Sequence, residues 1–259
     1  MDGLQLRNLC ASPWGSPLLR DINFALASGD VLGLIGPNGA GKSSLLHCIA
    51  GGLPASAGQL LLGGEPLADI PTRQRARCIA MQVQHPLLNF PFTVEEVILL
   101  GRTPHASGQR GVRQILREVM AATDTAGLAR RPYTQLSGGE KQRVQLARAV
   151  AQVWREEDAP QRLLLLDEPN SALDLHHQQM VLELVGQLAS RGCAVLLASH
   201  DCNLLSPRVD HLLLLDKGAQ AAYGTPAEVL TREMFSQVFA VQVHIQAHPG
   251  NGAPLVIQR

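Results

Sequence analysis

Short apolar runs recur along the chain at Val31–Ile35, 79–83, 163–167, 194–199 and 212–216. A run that is apolar throughout predicts a strand buried on both faces, because successive side chains point to opposite sides of a sheet. Between these runs the hydrophobic period lengthens to that of a helix. Leu45, Leu46 and Ile49 predict a helix over 42–50, and a further helix is expected over 173–190. From 93 to about 154 the pattern stays helical, with Val94, Val97 and Ile98, then Ile115, Leu116, Val119 and Met120, then Val144, Leu146, Ala147 and Val150. Near the start Leu4, Leu6 and Leu9 nearly alternate and predict an edge strand. Near the end Val241, Val243 and Ile245 predict a last strand. Strands alternating with helices argue for a largely parallel α/β core. The expected organisation is one domain over 1–259, with a core at 1–85 and 159–235, a helical insertion at 86–158 and a short strand extension at 236–259.

Composition narrows the function. The 259 residues, 46% of them hydrophobic, suffice for one large domain. Lys+Arg and Asp+Glu both total 22, so a strongly basic nucleic-acid surface is not indicated. A charged fraction of 17% suits a chain docked against a partner or an ordinary domain rich in small residues. The five cysteines form no Cys-x-x-Cys pair and read as thiols in a reducing compartment. The first residues do not read as a secretory signal, and no apolar run approaches the ~20 residues of a membrane helix. Action at a membrane would therefore pass through another polypeptide.

The chemistry concentrates at a few points. Gly36-Pro37-Asn38-Gly39-Ala40-Gly41-Lys42-Ser43 follows the Val31–Ile35 strand and opens a helix, with Ser44 next. Its glycines let backbone N–H groups curl around an anion, and the helix N-terminus adds to the trap. This spacing is the general phosphate-loop pattern, in which Lys42 would reach the β- and γ-phosphates of ATP and the Ser43 hydroxyl would reach Mg²⁺. Asp167 and Glu168 end the 163–167 run, where a carboxylate is costly without a cation or donors. Asp167 would hold Mg²⁺; Glu168 would orient or deprotonate the attacking water. A capping acidic pair before Pro169 is the other explanation. Ser137, Gly138 and Gly139 precede a long helix and could present N–H groups to a second anion. Ser137 with Glu140 three residues on is equally a capping box. Gln84 could touch Mg²⁺ and the water, and His200 could donate to the γ-phosphate; a surface glutamine and a structural histidine are the alternatives.

Together these motifs resemble the ATP-binding subunits of ABC transporters, over essentially the whole length. Gly36–Ser43 is similar to the Walker A loop, Gln84 to the Q-loop and Leu136–Glu140 to the signature. Residues 163–168 are similar to the Walker B strand, Ser171-Ala172-Leu173-Asp174 to the D-loop and His200 to the switch histidine. The resemblance implies an α/β, RecA-like P-loop core, an inserted helical subdomain and an N-terminal antiparallel β part. It also implies a head-to-tail pair of identical chains, each ATP lying between one Walker A loop and the partner's Ser137, Gly138 and Gly139, with Asp174 at the same junction. The partners implied are a second copy, transmembrane permease subunits and, indirectly, a periplasmic haem-binding protein. The place implied is the cytoplasmic face of a bacterial inner membrane. An aromatic that stacks on adenine belongs near residue 13; Trp14 would serve, or would be a surface or docking ring.

The finer resemblance is to importers of haemin. It is carried by Asn89-Phe90-Pro91-Phe92-Thr93-Val94-Glu95-Glu96-Val97, by Leu100-Gly101-Arg102-Thr103-Pro104-His105 and by Ala151-Gln152-Val153-Trp154 with the polar stretch Arg155–Arg162 after it. Exposed Phe90-Pro91-Phe92 suits a permease-docking surface or a self-packed loop. Ferric-siderophore and cobalamin importers share much of this pattern. A soluble ABC ATPase acting on nucleic acid and a P-loop kinase are the readings from other classes.

Overall fold

The apolar runs lie side by side at one end of one large sheet, in a computed structural model that describes residues 3–13, 15–84, 90–106 and 108–258. In chain order, β1 (Gly3–Ala11) and β2 (Leu19–Ala27) lead into β3 (Val31–Ile35) and α1 (Lys42–Ile49). β4 (Ala57–Leu62), β5 (Glu65–Pro66), α2 (Thr72–Cys78) and β6 (Ile79–Gln82) follow. Three helices come next: α3 (Val94–Leu99), α4 (Gln109–Ala122) and α5 (Gly138–Gln152). The chain then returns through β7 (Arg162–Asp167), α6 (Leu175–Ser190), β8 (Cys193–Ala198), α7 (Cys202–Leu205), β9 (His211–Asp216) and β10 (Ala219–Gly224). It closes with α8 (Pro226–Val229), α9 (Arg232–Val238), β11 (Val243–Ala247) and β12 (Pro254–Gln258).

The sheet runs β5-β4-β1-β2-β10-β9-β3-β8-β7-β6. β9, β3, β8, β7 and β6 are parallel. β5, β4, β1 and β2 pair antiparallel, as do β10 and β9. The fully apolar strands work as their pattern requires. Leu164 and Leu166 of β7, with Val195 and Leu197 of β8, join the core under α3 to α6. Leu163 and Leu165, with Leu196 of β8, join the opposite core with Leu45, Leu46 and Ile49 of α1. Each strand thus feeds two cores at once, so a polar residue at any of these positions would lose burial on one face.

Helix boundaries follow their caps. Thr93 and Glu96 close a reciprocal capping box at α3, Ser137 and Glu140 another at α5. Asp174 caps α6 by accepting the His177 amide at 2.9 Å. The long helical pattern over 93–154 is therefore three helices, broken at the turns these caps begin.

Two strand expectations are corrected. β1 is not an edge: it lies between β2 and β4. The pattern of β4 hid this neighbour, since Ala57, Gly58 and Gln59 are exposed and only Leu62 is buried. Nor is the strand near Val243 the last. It pairs with β12 as a separate hairpin, and Val241 precedes it. Among the described residues no helix is long and apolar enough to cross a membrane. All five cysteines are free thiols; burial pushes that of Cys193 up to about 12.

Candidate nucleotide site

The loop between β3 and α1 takes the backbone shape its glycines permit. Gly39 and Gly41 adopt φ of 78° and 101°, which L side chains rarely reach. A side chain at Gly36 would collide with the Leu215 carbonyl, whereas Gly39 faces open space. Lys42 folds back over the loop, donating from Nζ to the carbonyls of Gly36 at 2.7 Å and Pro37 at 3.1 Å. Burial pulls its ammonium below the ordinary lysine value, opposed by the nearby charges of Glu168 and Asp167. Ala40 is buried and its carbonyl accepts the Gly218 amide at 3.0 Å, so the loop is tied to the β9–β10 turn. Pro37 accepts the Ala40 amide within the loop, while Asn38 is exposed at its face and Ser44 is half-buried.

β7 delivers the two carboxylates. Asp167 is 3% exposed. Burial pushes its carboxyl up from the ordinary value; the Ser43 hydroxyl opposes this and the Glu168 charge adds to it. Glu168 breaks the strand with φ 48°. Its amide donates to the Ala198 carbonyl at 3.1 Å and its own carbonyl accepts Gln142 Nε2 at 2.9 Å, which fixes the backbone in that unusual shape. Its Oε2 accepts Gln84 Nε2 at 3.0 Å and lies 3.7 Å from His200 Nδ1. The His200 ring stands largely in solvent beyond β8.

Asn38, Gly39, Ala40, Gly41, Lys42, Ser43, Ser44, Gln84, Glu168 and His200 therefore line one cleft of about 820 Å³. None of Ser137, Gly138, Gly139 and Asp174 lines it. Ser137 accepts the Glu140 amide at 3.3 Å and Glu140 accepts the Ser137 amide at 2.7 Å, so the capping box is formed. Gly138 has nothing near its missing side chain; Gly139 packs against the Ala172 carbonyl. Trp14 lies outside the described residues, as does Asn89. Phe90 is 69% exposed and Phe92 also stands in solvent. Among the described residues no cluster of three or more His, Cys, Asp or Glu is placed to hold a metal by itself.

Three residues escaped the sequence reading. Leu18 joins the wall of the cleft from the segment before β2. Gln142 holds the Glu168 carbonyl from the first turns of α5. Leu175 opens α6 with 83% of its surface in solvent beside Asp174. The first two contacts join segments far apart in sequence, so no local signal marks them.

A parallel core with a glycine-lined phosphate loop after β3 and a carboxylate pair at the end of β7, two strands away, defines a P-loop nucleotide-binding protein. The ABC transporter family model matches residues 19–171, more than half of the chain. The chain belongs to the ABC transporter family and is an ABC ATPase. It is 48% identical over 259 residues to the hemin import ATP-binding protein HmuV of Pseudomonas entomophila, covering 100% of this chain and 99% of that protein. It is 45% identical to the protein of the same description from Pseudomonas aeruginosa, covering 99% and 100%. Among solved structures it is similar to a metal-chelate type ABC transporter in an inward-facing conformation, with TM-score 0.80, 28% identity and coverage of 99% and 97%.

Proposed function

We propose that this chain is the ATP-hydrolysing subunit of a membrane importer of haem, working as a head-to-tail pair at the cytoplasmic face of a bacterial inner membrane. The observation that carries the pairing is the separation of its two anion sites. The cleft of Lys42 and Glu168 lacks the 137–139 turn, and that turn has no phosphate loop beside it. A second copy supplies each with what it lacks. Exposed Leu175, next to Asp174, offers apolar surface for the same junction. The haem cargo rests on full-length similarity to proteins described as hemin import subunits. Likeness to a metal-chelate type transporter keeps siderophores and cobalamin within the wider class. Exposed Phe90 and Phe92 suit a permease contact, and a periplasmic haem-binding protein would sit beyond that permease.

The residues fit Mg-ATP. The open face at Gly39 leaves room for phosphates along the loop, and Lys42 can exchange its two carbonyl partners for them. Ser43, Gln84 and Asp167 offer the hard oxygen donors that Mg²⁺ takes, and the raised Asp167 carboxyl is a buried charge in want of a cation. When bound, the ion would offset phosphate charge. Glu168 would take a proton from the attacking water as its oxygen bonds to the γ-phosphorus, giving ADP and phosphate; Gln84 holds that carboxylate in place. His200, at the rim, would donate to the γ-phosphate. Ser137, Gly138 and Gly139 of the partner subunit would close the cage. Leu18, which lines the cleft, would contact the base, and Trp14 would be the ring that stacks on it.

Two outcomes test this reading. Ser137→Arg chains mixed with Lys42→Ala chains, each impaired alone, are expected to regain turnover, because a mixed pair then holds one intact shared site. No recovery in the mixture would favour a self-contained site. Asp167→Asn is expected to abolish Mg²⁺-dependent hydrolysis yet raise the Tm of the nucleotide-free chain by about 2–4 °C. The sign follows from the raised carboxyl: the folded state binds the proton more readily than the unfolded one, so stability falls as pH rises through the folded value. An unaltered or lowered Tm at neutral pH would contradict the buried-charge argument.

A further inference from the structure

α5 begins with the 137–139 turn but is not held by its cap alone. The segment that follows Glu168 grips it at three places. Gln142 of α5 donates to the Glu168 carbonyl at 2.9 Å. Gly139 packs so closely on the Ala172 carbonyl that a Cβ there would sit 3.0 Å from it. The third grip runs through His177, on the first turn of α6. Its Nδ1 lies 2.8 Å from Asp174 Oδ1 and its Nε2 3.2 Å from Asp124 Oδ2. Asp124, in the turn after α4 with φ 48°, is paired with Arg143 of α5, whose Nη1 also donates to the Asp124 carbonyl at 2.7 Å.

The chemistry of this third grip is specific. Carboxylates only accept, so both imidazole contacts are hydrogen bonds when both ring nitrogens carry hydrogen. Both carboxylates are available for this. The His177 hydrogen bond, followed by those of Arg143, holds the Asp124 carboxyl below its ordinary value. The His177 amide and then its ring do the same for Asp174. Arg143 is buried while Asp124 and Asp174 are mostly exposed, so the relay reaches from solvent into the root of α5. Such a chain of charge-assisted bonds fixes the α6 turn to α5 with more directional restraint than apolar packing.

We propose that His177 is a positioning residue that transmits the state of one nucleotide site to the other, through Asp124 and Arg143 to the 137–139 turn of the same chain. This rests on the head-to-tail reading given above. Nucleotide at one phosphate loop acts on Glu168 and on the turn through Asp174. The relay carries that displacement to α5, whose start completes the second site. His177 touches no nucleotide; its effect is on coupling.

The test is the ATP dependence of hydrolysis by the full chain, with His177→Ala, Asp124→Asn and the double variant. The unaltered chain is expected to show a Hill coefficient above one. Each single variant is expected to bring it to about one and to lower kcat about tenfold, with the affinity of the dilute chain for ADP unchanged. The double variant is expected to be no worse than the poorer single, because both break one relay. Retained cooperativity in His177→Ala, an unaltered chain without cooperativity, losses that multiply in the double, or ADP affinity falling with kcat would each overturn the relay. Should His177→Ala fail to fold, Asp124→Asn carries the same outcomes alone, since that carboxylate is exposed. If a Glu168→Gln chain never pairs on ATP, the head-to-tail reading falls and the relay with it. If it pairs normally while His177→Ala keeps its cooperativity, the relay alone falls.

Discussion

Glu168→Gln is expected to lower ATP turnover about a hundred- to ten-thousandfold, the range for losing a positioned general base, while leaving ATP binding intact. The reason lies in how little else the change disturbs. The residue sits at φ 48°, held by the Ala198 carbonyl on one side and Gln142 on the other, and neither contact involves its side chain. Glutamine has the same length. Its amide can still meet Gln84, which now lies 3.0 Å from the carboxylate, by a flip of one of the two amides. Only the proton acceptor is lost. ATP should then remain uncleaved and hold two chains together, because the ligand that favours the closed pair is no longer consumed. Size-exclusion chromatography or light scattering with Mg-ATP should report a dimer that dissolves when ATP is removed. Normal turnover, or slow turnover without any pairing, would remove Glu168 from this role.

Lys42→Ala should act one step earlier. Nucleotide binding is expected to weaken about tenfold to a hundredfold, in keeping with the loss of a hydrogen-bonded charge, and hydrolysis should fall with it. The Lys42 ammonium bridges the carbonyls of Gly36 and Pro37. It also lies close enough to Asp167 and Glu168 for each to perturb it. Its removal leaves the loop without its clasp and the two carboxylates without their nearest buried cation. The Asp167 carboxyl should then rise further, so the pH at which activity fails on acidification should move upward. Equilibrium binding of a fluorescent ATP analogue checks the first part, and ATP hydrolysis measured across pH checks the second. Unchanged affinity with unchanged pH dependence would contradict the assignment.

Much of the site was legible because its parts are contiguous. The phosphate loop, from Gly36 to Ser43, carries its physics in eight successive residues, and the glycine positions specify the curl directly. The carboxylates Asp167 and Glu168 were legible because four leucines precede them, and charges at the end of a buried strand require a partner. Gln84 and His200 were candidates only by their place after apolar strands; their convergence on the Glu168 carboxylate required the parallel order of β3, β8, β7 and β6. The position of β1 was misread because alternation reports which face is buried and says nothing of which edges are paired.

Sequence alone determined the strand-and-helix alternation, the anion loop and the buried carboxylates, since each is set by a local period or by neighbours within a few residues. Tertiary structure decided the rest. It brought Gln142 to the Glu168 carbonyl, set His177 between Asp174 and Asp124, and kept the 137–139 turn out of the cleft that holds Lys42. Those arrangements depend on how α5 and α6 pack on the sheet, and packing joins residues whose separation along the chain leaves no periodic trace.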